Sequence, residues 1–402
     1  MNVVKKLYCR IFQSMFYVAI PFLPYREPEI LNNMLEIIHV IKKKSIDSVL
    51  LVTDKNLREA GVTNELEELL YQNKINCSVY DKTNANPTSH NVEEARLQYI
   101  NDQCEMLIAF GGGSSMDCAK AVGARIVYPK RTLDQLKGLL KVWRKLPPMV
   151  AIPTTAGTGS EVTVTAVITD STTRHKYTMN SFPFITHYAV LDPKVTFSLP
   201  PTLTATTGMD ALTHAVESYI GHSTIKQTRT LAKETVKLIF DNIETAYVDG
   251  RNEKARRNML LASYKAGISF SKSYVGYIHA VAHSLGGAYN TPHGLANSVL
   301  MPIVLEHYGK YVYKKLYELG VVAGIADRND TYQVGAEKFI AAIKELNKKM
   351  DIPGKLSCIK KEDILKLAKH ADKEGNPLYP VPKLMNAREL TELYIKVADW
   401  SA

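Results

Sequence analysis

The sequence predicts an open, mainly parallel α/β domain over residues 1–199 followed by an all-helical domain over 200–402. Three observations predict it. Short apolar runs alternate with helical patterns only in the first half. One of those runs leads directly into Gly111-Gly112-Gly113, a turn suited to a strand-to-helix connection. The second half shows helical spacing alone and holds a cluster of histidines.

The elements follow in order. Ser48-Val49-Leu50-Leu51-Val52 ends in Thr53-Asp54, and Cys77-Ser78-Val79-Tyr80 follows a helix-like stretch from Thr63 to Gln72. Met106-Leu107-Ile108-Ala109-Phe110 meets the glycines, with a helix expected over 115–126, and Met149-Val150-Ala151-Ile152 ends at Pro153. Continuous apolar runs separated by helices are what a parallel sheet covered on both faces requires. After the turns at Leu191-Asp192-Pro193 and Leu199-Pro200-Pro201, strand patterns stop. Leu231 to Ala246, Ala255 to Gly267, Ala336 to Met350 and Asp363 to Ala371 read as helices. A rigid two-domain protein with a cleft between its halves is the expectation.

Composition limits the function classes. At roughly 150 residues per domain, 402 residues make two or three domains. With 46% hydrophobic and 22% charged residues the chain can bury a core, which excludes a disordered protein, a collagen-like fibre and a small disulfide scaffold. The 50 basic and 40 acidic residues leave a net charge of +10, but the basic ones are scattered. Lys42-Lys43-Lys44 and Lys348-Lys349 are the tightest runs and read as solvated helix faces, so no nucleic-acid partner is expected. Five cysteines, without a Cys-x-x-C pair, fit a reducing compartment and a cytoplasmic location. Residues 1–25 are atypical: Lys5, Lys6 and Arg10 precede an uncharged run of 15 residues from Ile11 to Tyr25. That run holds Pro21 and Pro24 and falls short of the roughly 20 apolar residues of a membrane span, so no transmembrane segment is expected. Surface attachment through it is the alternative.

The chemistry-bearing residues form two groups. In the second half, His279-x3-His283-x9-His293 places three histidines in a window where composition gives roughly 0.4. His279 and His283 share a helix face, and Asn290-Thr291-Pro292 is a turn able to swing His293 back toward it. Asp210 and His214, also four apart, are read at a helix start. Together they suit a divalent transition metal; the alternative is Asp210 as a helix cap with His214 buried beside it. In the first half, Gly111-Gly112-Gly113-Ser114-Ser115-Met116-Asp117 either cradles phosphate at a helix N-terminus or is simply a tight turn. Asp54 either meets a ribose hydroxyl or caps the next helix, and it precedes the glycine loop instead of following it. Pro153-Thr154-Thr155-Ala156-Gly157-Thr158-Gly159-Ser160-Glu161 suits a phosphate or ribose contact, or a turn capped by Ser160.

Taken together, these segments resemble the iron-containing (group III) alcohol dehydrogenases. The resemblance is carried by Gly111–Asp117, Pro153–Glu161, Thr207-Gly-Met-Asp-Ala-Leu-Thr-His-Ala-Val-Glu217 and His279-Ala-Val-Ala-His-Ser-Leu-Gly-Gly-Ala-Tyr-Asn-Thr-Pro-His-Gly294, in register from about residue 27 onward. It implies a dinucleotide-binding first domain and a metal-binding second one. The implied metal ligands are Asp210, His214, His279 and His293, with His283 as a catalytic residue facing the nicotinamide and substrate. Implied dinucleotide contacts are Asp54, Asn86, Gly112, Gly113, Ser114, Thr154, Thr155, Thr158 and Lys176, the last resting on the short stretch Arg174-His175-Lys176-Tyr177.

The implied cofactors are NAD and a divalent metal, Fe(II) or alternatively Zn(II). The implied reaction transfers a hydride between NAD and a small primary alcohol or diol, in a homodimer or larger homo-oligomer. Two rivals remain. A dehydroquinate synthase-like lyase also uses NAD and a divalent metal, but needs several Lys and Arg for an acidic substrate, whereas Ala280, Val281, Leu285 and Ala288 flank the histidines here. A surface-associated binding protein would leave both motif groups without a purpose.

Overall fold

The computed structural model describes residues 1–400 apart from Arg174. Two compact units emerge: Pro24–Leu199, and Met1–Leu23 together with Pro200–Ala402.

The first unit holds nine strands: β1 Glu29–Leu31, β2 Ser48–Val52, β3 Asn76–Tyr80, β4 Met106–Gly111, β5 Gly138–Leu139, β6 Met149–Pro153, β7 Thr165–Thr169, β8 Lys176–Asn180 and β9 Tyr188–Val190. Six of them form one sheet in the order β1-β9-β6-β4-β2-β3, with every pairing parallel. The continuous apolar runs have a direct cause. Successive side chains point to opposite faces of a strand. Leu50, Val52, Leu107, Ala109 and Ala151 enter one core cluster, while Val49, Leu51, Ile108, Phe110 and Ile152 enter the other. Each such burial contributes about 1.5–3 kcal/mol for a large aliphatic side chain.

The strand order also sets the crevice. The chain moves from β2 outward to β3, then returns to place β4 on the other side of β2. The ends of β2 and β4 are therefore neighbours where the order reverses, the place at which open α/β sheets bind ligands.

Five strands of the unit escaped the sequence reading. β1 and β9 are too short to show a period, and β5, β8 and β7 form a separate three-stranded sheet in which β7 and β8 are antiparallel. The helix Gly113–Val127 carries Lys120 inward, where its ammonium donates to the carbonyls of Ser160 (2.5 Å), Thr163 (3.2 Å) and Thr165 (2.9 Å). That anchor fixes the segment between β6 and β7.

One acid-sensitive device sits beside β6. His187 Nδ1 accepts a hydrogen bond from the Met149 N–H at 3.2 Å, which requires an unprotonated nitrogen. Burial, aided by the charges of Arg26, Lys44 and Lys145, pushes its pKa down from 6.5 to about 4. The folded state thus resists a proton that the unfolded chain takes up below pH 6.5. The His187 contribution is full above that pH and is lost as pH falls toward 4, by at most about 3 kcal/mol. Urea midpoints for the wild type should fall across this window, and His187→Gln should flatten the fall. An equally steep fall in the variant would remove His187 from the account.

In the second unit, the four expected helices occur as Lys226–Val248, Glu253–Ser273, Tyr332–Lys349 and Ile364–Gly375. The helices Pro201–Ile220, Tyr277–Tyr289 and His293–Tyr308 carry the site residues. Residues 24 and 25 lie in the α/β unit, whereas the helix Val3–Ala19 lies in this one, with the rest of Met1–Leu23. Its Arg10 guanidinium donates to the carbonyls of Val381 (2.7 Å) and Pro382 (3.0 Å), and its Gln13 amide to those of Pro377 (3.2 Å) and Tyr379 (2.8 Å). Order along the chain cannot reveal partners that distant. Among the described residues, no helix is long and apolar enough to cross a membrane.

Candidate active site

The metal candidates are built on three helices of one unit. On Pro201–Ile220, Asp210, His214 and Glu217 stand at i, i+4 and i+7 and therefore share a face. The sequence suggests a helix start near Asp210, but the helix opens at Pro201, where a ring without an N–H suits the first turn. Asp210 is thus mid-helix and buried, which excludes the capping alternative. His279 lies near the start of Tyr277–Tyr289, and His293 opens His293–Tyr308 after Asn290 takes a left-handed conformation (φ 53°). Close approach of the helices depends on Gly294, where a Cβ would stand 2.4 Å from the Thr206 carbonyl oxygen.

The ligand atoms of Asp210, His214, His279 and His293 all lie within 4.8 Å of one another. Two donors about 2.1 Å from a common ion can be at most about 4.2 Å apart, so small side-chain adjustments complete the set. His279 Nδ1 is 2.6 Å from Glu217 Oε2, and that carboxylate also accepts from the Gly276 and Ile278 N–H groups at 2.7 and 2.8 Å. With Glu217 ionised, this contact puts the proton on Nδ1 and leaves Nε2 as a bare lone pair. His279 Nε2 is buried and has no hydrogen-bond partner among the described residues. An orphaned acceptor of this kind is costly, and it stands 3.8 Å from Asp210 Oδ1. Burial, followed by the neighbouring histidines, holds the His279 pKa well below its usual value, in the neutral form a metal requires. Three imidazoles and one carboxylate fit a divalent transition metal.

Outside that set, Asn297 donates to Asp210 Oδ1 at 2.6 Å, and Phe270 stacks on His214 with centroids 4.1 Å apart. His283 lies beside the four, its ring stacked on His293 at 5.1 Å. Its Nδ1 is 2.6 Å from Glu374 Oε1, which also accepts from the Tyr379 hydroxyl at 2.7 Å. Burial pushes the Glu374 carboxyl up, but His283 and these two hydrogen bonds outweigh it and hold the group below its usual value. Glu217 and Asn297 were missed by the sequence reading, although their spacing, three residues beyond His214 and four beyond His293, was a signal that could have found them. Glu374 had no such signal, being 91 residues from its partner.

The dinucleotide candidates assemble in the other unit. Asp54 follows β2 and caps the helix Lys55–Glu59, accepting from the Leu57 N–H at 3.1 Å, so the capping alternative is realised. Gly112 ends the strand-to-helix turn after β4 as an N-cap without a side-chain bond, which leaves helix N–H groups for an anion. A methyl at Gly113 would stand 3.1 Å from Thr158 Cγ2, and one at Gly112 3.5 Å from Thr155. Thr154 N–H donates to the Gly111 carbonyl (3.0 Å), and Ser114 Oγ to that of Ala85 (2.5 Å). Lys176 Nζ donates to Asn86 Oδ1 at 2.7 Å; Arg174, quoted with Lys176 above, lies outside the described residues. Thr155 Oγ1 is buried without a hydrogen-bond partner among the described residues, as a contact awaiting a ligand would be.

An open parallel sheet with a glycine turn at its switch point, and a helical unit presenting one carboxylate and three imidazoles, are the parts of an enzyme that holds a nucleotide and a divalent metal. Comparison with known proteins specifies which kind. Residues 31–193 match the model of the iron-containing alcohol dehydrogenases, and residues 204–398 match that of the C-terminal part of the Fe-containing alcohol dehydrogenase family. The 1,3-propanediol dehydrogenase of Klebsiella pneumoniae is 36% identical over 349 residues, 86% of this chain and 90% of that protein. A crystal structure of 1,3-propanediol oxidoreductase superposes with a TM-score of 0.88 at 33% identity, covering 93% of this chain and 98% of the other. The structure of sulfoacetaldehyde reductase from Bifidobacterium kashiwanohense in complex with NAD+ gives a TM-score of 0.83 at 26% identity, over 94% and 98% of the two chains. The chain belongs to the iron-containing alcohol dehydrogenase family. It is a metal-dependent alcohol dehydrogenase in class, and the lyase alternative is not favoured.

Proposed function

We propose that the chain interconverts a small primary alcohol or diol and its aldehyde, with NAD as the hydride carrier and Asp210, His214, His279 and His293 as metal ligands. The observation that carries this reading is the buried His279 Nε2, without a hydrogen-bond partner among the described residues and set among three other donor side chains. A divalent metal held by these residues would polarise the alcohol oxygen and lower its pKa, and NAD would accept the hydride.

The chain's own residues do the rest. Glu217 fixes the tautomer and ring orientation of His279, as outer partners of metal-bound imidazoles do. Glu374 does the same for His283, leaving Nε2 as the nitrogen able to move a proton between substrate and solvent. Gly112, Gly113, Ser114, Thr154, Thr155 and Thr158 hold the pyrophosphate and nicotinamide portions, with Asn86 and Lys176 beside them. Five cysteines without a disulfide support a cytoplasmic location, and a homodimer or larger assembly completes the reading.

Asp54 selects NAD over NADP in this account, by accepting a ribose hydroxyl and repelling a phosphate. A surface pocket of about 610 Å³ beside it contains Lys55, Arg58 and Lys82. Each of these cations already has a carboxylate partner: Glu59 at 3.5 Å, Asp81 at 2.8 Å and Glu94 at 3.5 Å. Asp54→Gly is therefore expected to narrow the gap between NADH and NADPH in kcat/KM. A wild-type preference for NADPH would overturn the assignment. The reading as a whole is tested with a panel of aldehydes and both cofactors on protein loaded separately with Fe(II) and Zn(II). Reduction of small aldehydes supports it, and inactivity with every metal and aldehyde contradicts it.

A further inference from the structure

We propose that the helix Val3–Ala19 is a membrane-surface anchor that lays its outer face on bilayers containing anionic lipid. Its inward face makes few apolar contacts, chiefly Cys9 and Phe16 edge-on to Tyr274 (ring centroids 4.7 Å), while its broad apolar stripe is turned outward. The face turned to the protein carries buried Cys9 and Gln13, and Arg10 and Gln13 fasten it through hydrogen bonds to backbone carbonyls. The outward face carries Val4, Leu7, Tyr8, Ile11, Met15 and Val18, which are 77%, 60%, 58%, 51%, 67% and 65% exposed. At 3.6 residues per turn these six fall within an arc of about 100°, in a stripe about 21 Å long. Large apolar stripes of this kind are rare on soluble surfaces unless something covers them.

Charge decides what covers this one. Residues 1–23, the part of the segment in this unit, contain Lys5, Lys6 and Arg10 and no Asp or Glu. Lys5 lies about 60° beyond one edge of the stripe, and exposed Lys6 projects from the other side of the helix near its N-terminus. Lys5 pairs with Asp372 at 3.3 Å on the helix Ile364–Gly375, which also presents exposed Lys366, Lys369 and Lys373. A second copy docking symmetrically on the same face would set two acid-free, basic segments against each other. Anionic headgroups supply the missing countercharge, while the apolar stripe enters the acyl boundary. The helix is too short to span and lies in the surface plane. The segment also lies outside the residues matched by either family model, so nothing in the alcohol dehydrogenase reading accounts for it.

Full-length, metal-loaded protein is sedimented with vesicles of pure phosphatidylcholine or with about 30% phosphatidylglycerol. The expected result is at least about tenfold more protein bound to the anionic vesicles, reversed by high salt. Ile11→Asp and Lys6→Glu, both on exposed positions, are each expected to reduce that binding while leaving metal content and dehydrogenase turnover in solution unchanged. No binding of wild type to either vesicle overturns the proposal. So does an Ile11→Asp variant that splits a stable oligomer in sedimentation velocity without changing vesicle binding, since the face would then join copies of the chain.

Discussion

His279→Ala is expected to lose bound metal and, with it, alcohol oxidation, while NADH still binds. Removing an outer partner of a metal ligand typically costs 10- to 100-fold in affinity or activity, so losing the ligand itself is expected to cost more than about 100-fold. Glu217→Gln, which keeps a side-chain oxygen beside His279 Nδ1, is the milder comparison within that 10- to 100-fold range. The proposed dinucleotide contacts lie in Pro24–Leu199, whereas His279 belongs to the other unit. Elemental analysis and NADH fluorescence titration check both halves of the expectation. Stoichiometric metal in His279→Ala would remove the residue from the ligand set.

His283→Ala is expected to keep its metal and its NADH affinity but lose turnover by roughly 100- to 10,000-fold, the range of a positioned proton donor or acceptor. The geometry supports this separation. His283 stands outside the four ligand atoms that lie within 4.8 Å of one another, and its Nδ1 is engaged by Glu374. Glu374→Gln retains an acceptor for Nδ1 but removes the charge, so its loss is expected to be smaller and to shift the pH dependence of kcat. Steady-state kinetics over pH with metal analysis separates the outcomes. Metal loss in His283→Ala would make it a ligand, and unchanged turnover would make it a packing residue.

Much of this architecture was legible because its signals are local. β2, β4 and β6 read directly as buried strands, since side chains on both sheet faces must be apolar. Asp210 and His214, like His279 and His283, announced themselves through one helical turn of spacing. What was hidden depends on tertiary distance. Asp54 precedes the glycine loop in sequence and looked misplaced, yet the β2–β4 pairing makes their strand ends neighbours. The hairpin of β7 and β8 was missed although Thr165-Ala166-Val167-Ile168-Thr169 alternates in burial, because five residues of mixed pattern carry little weight after a glycine-containing turn. Glu374 reaches His283, and Tyr379 reaches Glu374, from a segment with no recognisable motif. The Val3–Ala19 helix hides its partners for the same reason, since carbonyls of residues 377–382 have no signature in any sequence.

The most direct test of the central claim is a titration of metal-free protein with Fe(II) under anaerobic conditions, following NADH formation from NAD and a panel of small primary alcohols and diols. The account predicts no activity before addition and a rise in proportion to bound metal, ending at one ion per chain, with Asp210→Asn showing neither binding nor activity. Full activity in the metal-free protein, or an unchanged titration in Asp210→Asn, would contradict it.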